Sequence, residues 1–285
     1  MTQSTGSSPL HDLARTHLPS DIAERWIGLL RPGAHLAKAA DGEAVAGRLG
    51  GAPALPEGED WPVWEGHGPL SFVAAVDCAA LPVGELDIPL PADGTLSFFY
   101  FDGQIDDGDA LVLPDYRETW AGARVVYVPA GVEVTQRAVP EGLKAYPEVL
   151  LSARVGPTAL DPWHPDVEAA CGDSENVDLL QDDDFNEALH DASEESAHHI
   201  GGHAWSIQNP VEAEVAHAVL GGKELPWNDP RIEEEARRWT LLAQFGSDDD
   251  AGMMWGDCGV LYWLIRPEDL AERRFDRAMF NWQCS

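Results

Sequence analysis

The side chains best suited to chemistry here are histidines, cysteines and carboxylates, and each set can be held against the spacing its chemistry requires. The densest is His198-His199-Ile200-Gly201-Gly202-His203. His199 and His203 stand four residues apart, which on a helix would place two imidazoles on one face for zinc, with Asp257 available to complete the set. Gly201-Gly202 between them opposes a helix, and the His-Glu-x-x-His pattern of metalloproteases is absent. The expectation is a loop whose histidines satisfy backbone groups or face water, with no metal and no cofactor. A metal-assisted hydrolase using His198, His199 or His203 with Asp257 is the alternative.

Asp257-Cys258-Gly259 sets a thiol beside a carboxylate. A nucleophilic cysteine needs a histidine, a cation or a helix N-terminus to lower its pKa, and an adjacent Asp works against the thiolate. Cys258 is therefore expected to be a small buried apolar residue, and Asp257 to cap the turn before Val260. The acidic runs Asp106-Asp107-Gly108-Asp109, Asp182–Asp184 and Asp248–Asp250 lack the alternation of a calcium loop. A phosphate-binding Gly-x-x-x-x-Gly-Lys-Ser/Thr and a Gly-x-Ser-x-Gly elbow are also missing, so no catalytic residue is assigned. The tryptophans Trp61, Trp64, Trp205, Trp255 and Trp263 could line a groove that grips a peptide or a cationic ligand. They suit equally the seam between two packed halves, the reading preferred for them.

The elements that would position these groups alternate sheet and helix. A helix is expected from Asp21, with Glu24 at capping-box spacing, ending at Arg31-Pro32-Gly33, after a mobile start over residues 1 to about 18. Strands are expected at Leu70–Val76, Thr95–Phe101, Ala110–Leu113, Arg124–Val128 and Val132–Val139, the last two joined at Pro129-Ala130-Gly131. The segment from Gly156 to Ala197 is acidic and reads as a surface connection with one short helix at Asp184–His190. Asn209 then caps a helix ended by Gly221-Gly222, and strands follow at Trp239–Phe245, Val260–Ile265 and Ala278–Gln283, with a helix from Pro267. Three motifs recur in order. Arg48-Leu-Gly-Gly matches His199-Ile-Gly-Gly, Phe72-Val-Ala-Ala-Val matches Leu241-Leu-Ala-Gln-Phe, and Gly94-Thr-Leu-Ser-Phe-Phe matches Gly259-Val-Leu-Tyr-Trp-Leu.

These motifs also carry a resemblance. Gly50-Gly-Ala-Pro-Ala-Leu-Pro-Glu-Gly-Glu-Asp-Trp-Pro62, Pro69–Val76, Leu96–Tyr100, Gly201-Gly202 with Gln208, Met253-Met-Trp-Gly-Asp-Cys-Gly-Val-Leu-Tyr262 and Phe280–Ser285 together resemble the YwqG-like family, the DUF1963 domain. The resemblance covers roughly residues 32 to 285. It implies a bacterial, cytoplasmic α+β protein of unassigned role, and it carries no catalytic residue over.

Bulk composition narrows the partners. With 18 basic and 50 acidic residues the formal charge is −32, a field that repels phosphate backbones and anionic lipid, so nucleic acid and membrane are excluded as general partners. The four cysteines are widely spaced, which suits free thiols in a reducing compartment. The resulting expectation is an α+β fold. Its two pseudo-duplicated sheet-and-helix halves, about 48–155 and 198–285, fuse into one domain over 32–285 behind a flexible N-terminus and helix at 1–31. The expected function is non-enzymatic binding of a basic protein or peptide, of which a toxin-neutralising, immunity-type partner is one form. Arg48, Trp61, His203, Trp205 and Asp257 are the expected lining of a cleft between the two Gly-Gly loops.

Overall fold

Apolar runs build the sheet. Val260–Ile265 is buried at every position, and Ser71–Asp77 and Thr95–Tyr100 nearly so, the pattern of strands covered on both faces. In the computed structural model, which describes residues 8–172, 174–194 and 197–285, these join seven others in one antiparallel sheet. Its strands are β1 (Arg31–Lys38), β2 (Gly47–Leu49), β3 (Ser71–Asp77), β4 (Thr95–Tyr100), β5 (Ala123–Val128), β6 (Val149–Thr158), β7 (His198–Ile200), β8 (Thr240–Gly246), β9 (Val260–Ile265) and β10 (Met279–Gln283). The order across the sheet is β10-β9-β8-β7-β1-β6-β2-β3-β4-β5. The sheet curls until it is nearly closed. Phe98 of β4 meets Phe245 of β8 and Trp263 of β9 edge-on at 5.0 and 5.1 Å, and Tyr100 stacks on Phe280 of β10 at 4.8 Å. Trp255 and Trp263 do fill this seam, and both are buried.

Helices cover the outside in two groups. α1 (Pro9–His17), α2 (Ser20–Ile27), α3 (Pro165–Cys171), α4 (Ser174–Leu180) and α5 (Asp183–Glu194) enclose a separate core, with Trp26 edge-on to Phe185 at 5.6 Å. The acidic connection is thus a helical layer packed with the N-terminal helices, not a surface strand of chain. α6 (Val211–Leu220) and α7 (Arg231–Ala236) lie on the far side of β8, β9 and β10, where Val211 and Val215 pack with Leu241, Tyr262 and Leu264. α8 (Pro267–Ala271) follows β9, as its proline start suggests.

Several expectations are corrected. Residues 9–17 are helical, with Leu10, Leu13 and Ala14 buried, while residues 1–7 lie outside the described residues. The Asp21/Glu24 box is not used, since α2 starts at Ser20 behind Pro19 without a side-chain cap. Pro210, not Asn209, precedes α6, and the Asn209 amide donates to Glu214 instead. Ala110–Leu113 is not a strand, and Val134–Gln136 pairs with Ala54–Pro56 rather than with β5. The two central strands, β1 and β6, were hidden by breakers. Pro32 faces Pro157 and Gly33 faces Gly156, but there β7 has already ended beside β1 and β2 beside β6. Each proline therefore sits where its strand has an open side, the one sheet position that tolerates a missing N–H.

The two Gly-Gly turns do not share a cleft. Gly50 packs against Pro147, just before β6, and Gly202 packs against Thr158, the last residue of β6. A ten-residue strand separates them by about 30 Å.

Candidate functional site: an acidic groove beside a zipped strap

A row of polar side chains crosses six strands of the sheet on one face. Arg154, His35, His199, Gln244, Tyr262 and Asn281 stand directly opposite one another from β6 to β10. The row holds an extended strap, His203 to Gln208, by standing in for strand backbone. His199 Nε2 donates to the His203 carbonyl at 3.0 Å, and Gln244 Oε1 accepts the Trp205 N–H at 2.9 Å. The Tyr262 hydroxyl donates to the Trp205 carbonyl at 2.6 Å, and Gln283 Oε1 accepts from Ile207 and Gln208 at 2.8 and 3.2 Å. Glu214 of α6 accepts from Asn281 and Gln283 at 2.6 and 2.9 Å, which ties the helix to the same row. Tyr262→Phe should lower stability by about 2 kcal/mol, because it leaves the Trp205 carbonyl unpaired. A drop in urea midpoint at constant m would show it, and an unchanged midpoint would remove the strap's role.

The three histidines are each committed to separate structural bonds. His198 Nδ1 accepts from the Gly246 N–H at 3.1 Å while Nε2 donates to Asp248 at 3.2 Å. The same bond from His198 holds Asp248 below the usual carboxylate range. His199, next along β7, points to the opposite face. His203 donates its N–H to Thr158 Oγ1 at 2.7 Å and its Nε2–H to the Leu29 carbonyl at 2.8 Å, and burial pulls its pKa down to about 4. Among the described residues no group of three or more His, Cys, Asp or Glu could hold a metal ion, so the hydrolase alternative lacks its metal-binding set. Cys258 corrects another expectation. It is exposed, with φ 51°, as the left-handed residue of its turn. It shares a concavity with His198, but both nitrogens of that ring are occupied, so His198 cannot serve it as a base.

That concavity is an open groove of about 830 Å³. The end of β1, the strap, the Ser247–Val260 hairpin and the segment 161–163 form its walls. Trp163 and Met254 line it, each residue 54% exposed. Asp161, Asp248 and Asp249 supply its acid, and its one Lys or Arg among the described residues, Lys38, is already bound to Asp250 at 2.8 Å. Burial pushes the Asp161 carboxyl above its ordinary range, and the Trp163 N–H that it accepts at 2.8 Å only partly offsets this.

Of the expected lining, Trp205 reaches this groove, and His203, the first residue of the strap, does not. Asp257 lies one residue from the groove-lining Cys258, its carbonyl accepting from Ser285 at 3.2 Å. Arg48 and Trp61 are elsewhere. Arg48 donates to the Ala52 carbonyl at 2.9 Å and lies over Phe72, so it braces the Gly50-Gly51 turn. Trp61 donates to the Leu70 carbonyl at 2.8 Å and packs edge-on to Phe99, against the core instead of in a cleft. Asp161, Trp163 and Met254 were missed. The first two lie in a segment without strand or helix periodicity, and Met254 follows the buried Met253, so only tertiary packing distinguishes them.

No helix among the described residues is long and apolar enough to cross a membrane. No curated protein matches the chain. Residues 47–284 match the family described as a domain of unknown function, DUF1963, a span that takes in both Gly-Gly turns, the strap and the groove hairpin. By that match over most of its length, the chain belongs to the DUF1963 family.

Proposed function

We propose that this protein is a non-enzymatic binding module that takes a basic protein or peptide segment into the groove beside Trp163 and Met254. The observation that carries this reading is the pairing of two half-exposed large apolar residues with an acidic lining whose one Lys or Arg among the described residues, Lys38, is bound to Asp250. Trp and Met are side chains that anchor interfaces, and truncating a central anchor commonly costs about 2 kcal/mol or more of binding. A lysine or arginine from the partner would relieve the desolvated Asp161, and the net charge of −32 would speed encounter with a basic chain.

The test is fluorescence anisotropy with a labelled peptide of alternating Lys and Leu, titrated at several salt concentrations. Binding should weaken with salt and fall by about tenfold or more in Trp163→Ala/Met254→Ala. Equal affinity for wild type and double variant would reduce the interaction to diffuse charge and end the groove reading. We place the protein in the cytoplasm, where its four free cysteines would stay reduced.

We also infer that the halves β2-β3-β4-β5 and β7-β8-β9-β10 descend from one duplicated unit. Several correspondences support this. Each half starts at a short strand beside the central pair and continues outward in chain order. Arg48↔Ala75 and Ser97↔Val126 correspond to His199↔Gln244 and Tyr262↔Asn281. A bulge falls between Phe72 and Ala74 in one half and between Leu241 and Ala243 in the other. Gly50-Gly51 and Gly201-Gly202 follow the first strands, all at positive φ.

A further inference from the structure

A second concavity, of about 610 Å³, lies between α6, α7, the start of α3 and the start of β1, and shares no lining residue with the groove. Its size suits a small metabolite. Two indoles in its wall are held rigid. Trp227 stacks on His217 at 3.9 Å and 6°, and Trp239 donates to Glu235 at 3.1 Å under the Arg266 guanidinium.

The charges lining it fall into two classes. Arg237 is bound to Glu233 at 2.5 Å, Asp229 is bound to Arg231 at 2.7 Å, and Asp166 stands 4.0 Å from His164. Glu212 and Arg31 are different. Among the described residues the Glu212 carboxyl pairs with no other side chain and accepts its own backbone N–H, and Arg31 reaches only Asp87, at 4.0 Å. They influence each other, since Arg31 pulls the Glu212 carboxyl down while burial raises it, yet they make no ion pair. A carboxylate paired with no other side chain and a half-exposed guanidinium held only by its 4.0 Å contact to Asp87 thus face one cavity, apart from each other and against fixed aromatic walls.

We propose that this cavity binds a free α-amino acid with an aromatic or apolar side chain, its ammonium toward Glu212, its carboxylate toward Arg31 and its side chain against Trp227 and Trp239. A simple acid would leave the Glu212 carboxylate unmatched in a desolvated position, and a simple amine would forgo the Arg31 guanidinium, so each binds more weakly than a ligand carrying both charges. A peptide's N-terminal residue has no free α-carboxylate, so the site selects the free amino acid over the segment taken by the groove.

Isothermal titration of the full chain with L-phenylalanine, phenethylamine and 3-phenylpropionate tests this. L-Phenylalanine should bind one molecule per chain, with each single-charge analogue weaker by about tenfold or more. Glu212→Gln and Arg31→Met should each weaken L-phenylalanine by about 10- to 100-fold while the thermal midpoint stays near wild type. Trp163→Ala/Met254→Ala should leave it unchanged. Phenethylamine binding as tightly as L-phenylalanine, no binding of L-phenylalanine at millimolar concentration, an unchanged affinity in Glu212→Gln, or loss in the groove variant would each overturn the assignment.

Discussion

Gly202→Ala should destabilise the protein by about 3–5 kcal/mol, through a backbone conformation that favours glycine and a clash with Thr158. Gly202 sits at φ 73°, where an L-residue costs about 1–2 kcal/mol more than glycine. Its Cβ would also lie 2.4 Å from Thr158 Oγ1 and 2.9 Å from Thr158 Cγ2. Thr158 cannot retreat without loss. Its hydroxyl donates to the Arg31 carbonyl at 2.9 Å and accepts the His203 N–H at 2.7 Å, bonds worth about 1–1.5 kcal/mol each. The Gly202 N–H also donates to Asp87 at 3.0 Å, so a shift of the turn would spread to the loop it touches. Gly131→Ala is the control. It has φ 80° but open space around the added methyl, so only the conformational cost of about 1–2 kcal/mol applies. Urea denaturation of both variants separates the terms. A Gly202→Ala loss no greater than that of Gly131→Ala would mean that Thr158 yields freely and that the turn is not a packing constraint.

The same turn shows which parts of this fold can be read from residues alone. Gly201-Gly202 and Gly50-Gly51 are legible because paired glycines after a short strand have few other uses. Val260–Ile265 is legible because an unbroken apolar run of that length suits a strand covered on both faces. β1 and β6 were not, since Pro32-Gly33 and Gly156-Pro157 carry local breaker signals. Whether a proline is tolerated depends on where the neighbouring strand stops, which is a tertiary fact. The strap was hidden for a related reason. Gln244, Tyr262, Asn281 and Gln283 read as ordinary strand residues, and their amide and hydroxyl groups acquire a task only once the chain from His203 to Gln208 lies across them. Among the site residues, Trp205 was legible through its motif. Glu212 stands in the first turn of α6, where any carboxylate suits the helix dipole, and its place in a cavity arises because α7 and the α3 start border it. The pattern marks where the chain turns and what it buries, but not which polar groups are left to face each other.

Acidification should remove about 3 kcal/mol of stability through His203 between about pH 6.5 and pH 4. The folded imidazole titrates at about 4 and the unfolded one at its ordinary 6.5, and the first cause of the difference is burial. Across that window the unfolded chain therefore binds the extra proton, and stability falls as pH falls. Above 6.5 the full contribution is present, and below 4 both states are protonated and the curve from this group is flat. Nearby Arg31 works in the same direction, while the Leu29 carbonyl, which accepts from Nε2, opposes it. His35 and His164, also lowered by burial, add to the fall. Glu212 and Asp161, raised by burial, gain stability on protonation and run against it. Because these contributions overlap, the decisive quantity is a difference between proteins, not one profile. His203→Gln retains a donor for Leu29 but cannot titrate, so its stability should fall less steeply than wild type through the window, the two curves converging toward pH 4 by about 3 kcal/mol relative to their gap at pH 7. Parallel curves would mean that the buried ring takes up its proton as readily as a free one, through water or a rearranged Leu29 contact, and that the strap's anchor at His203 is looser than its hydrogen bonds suggest.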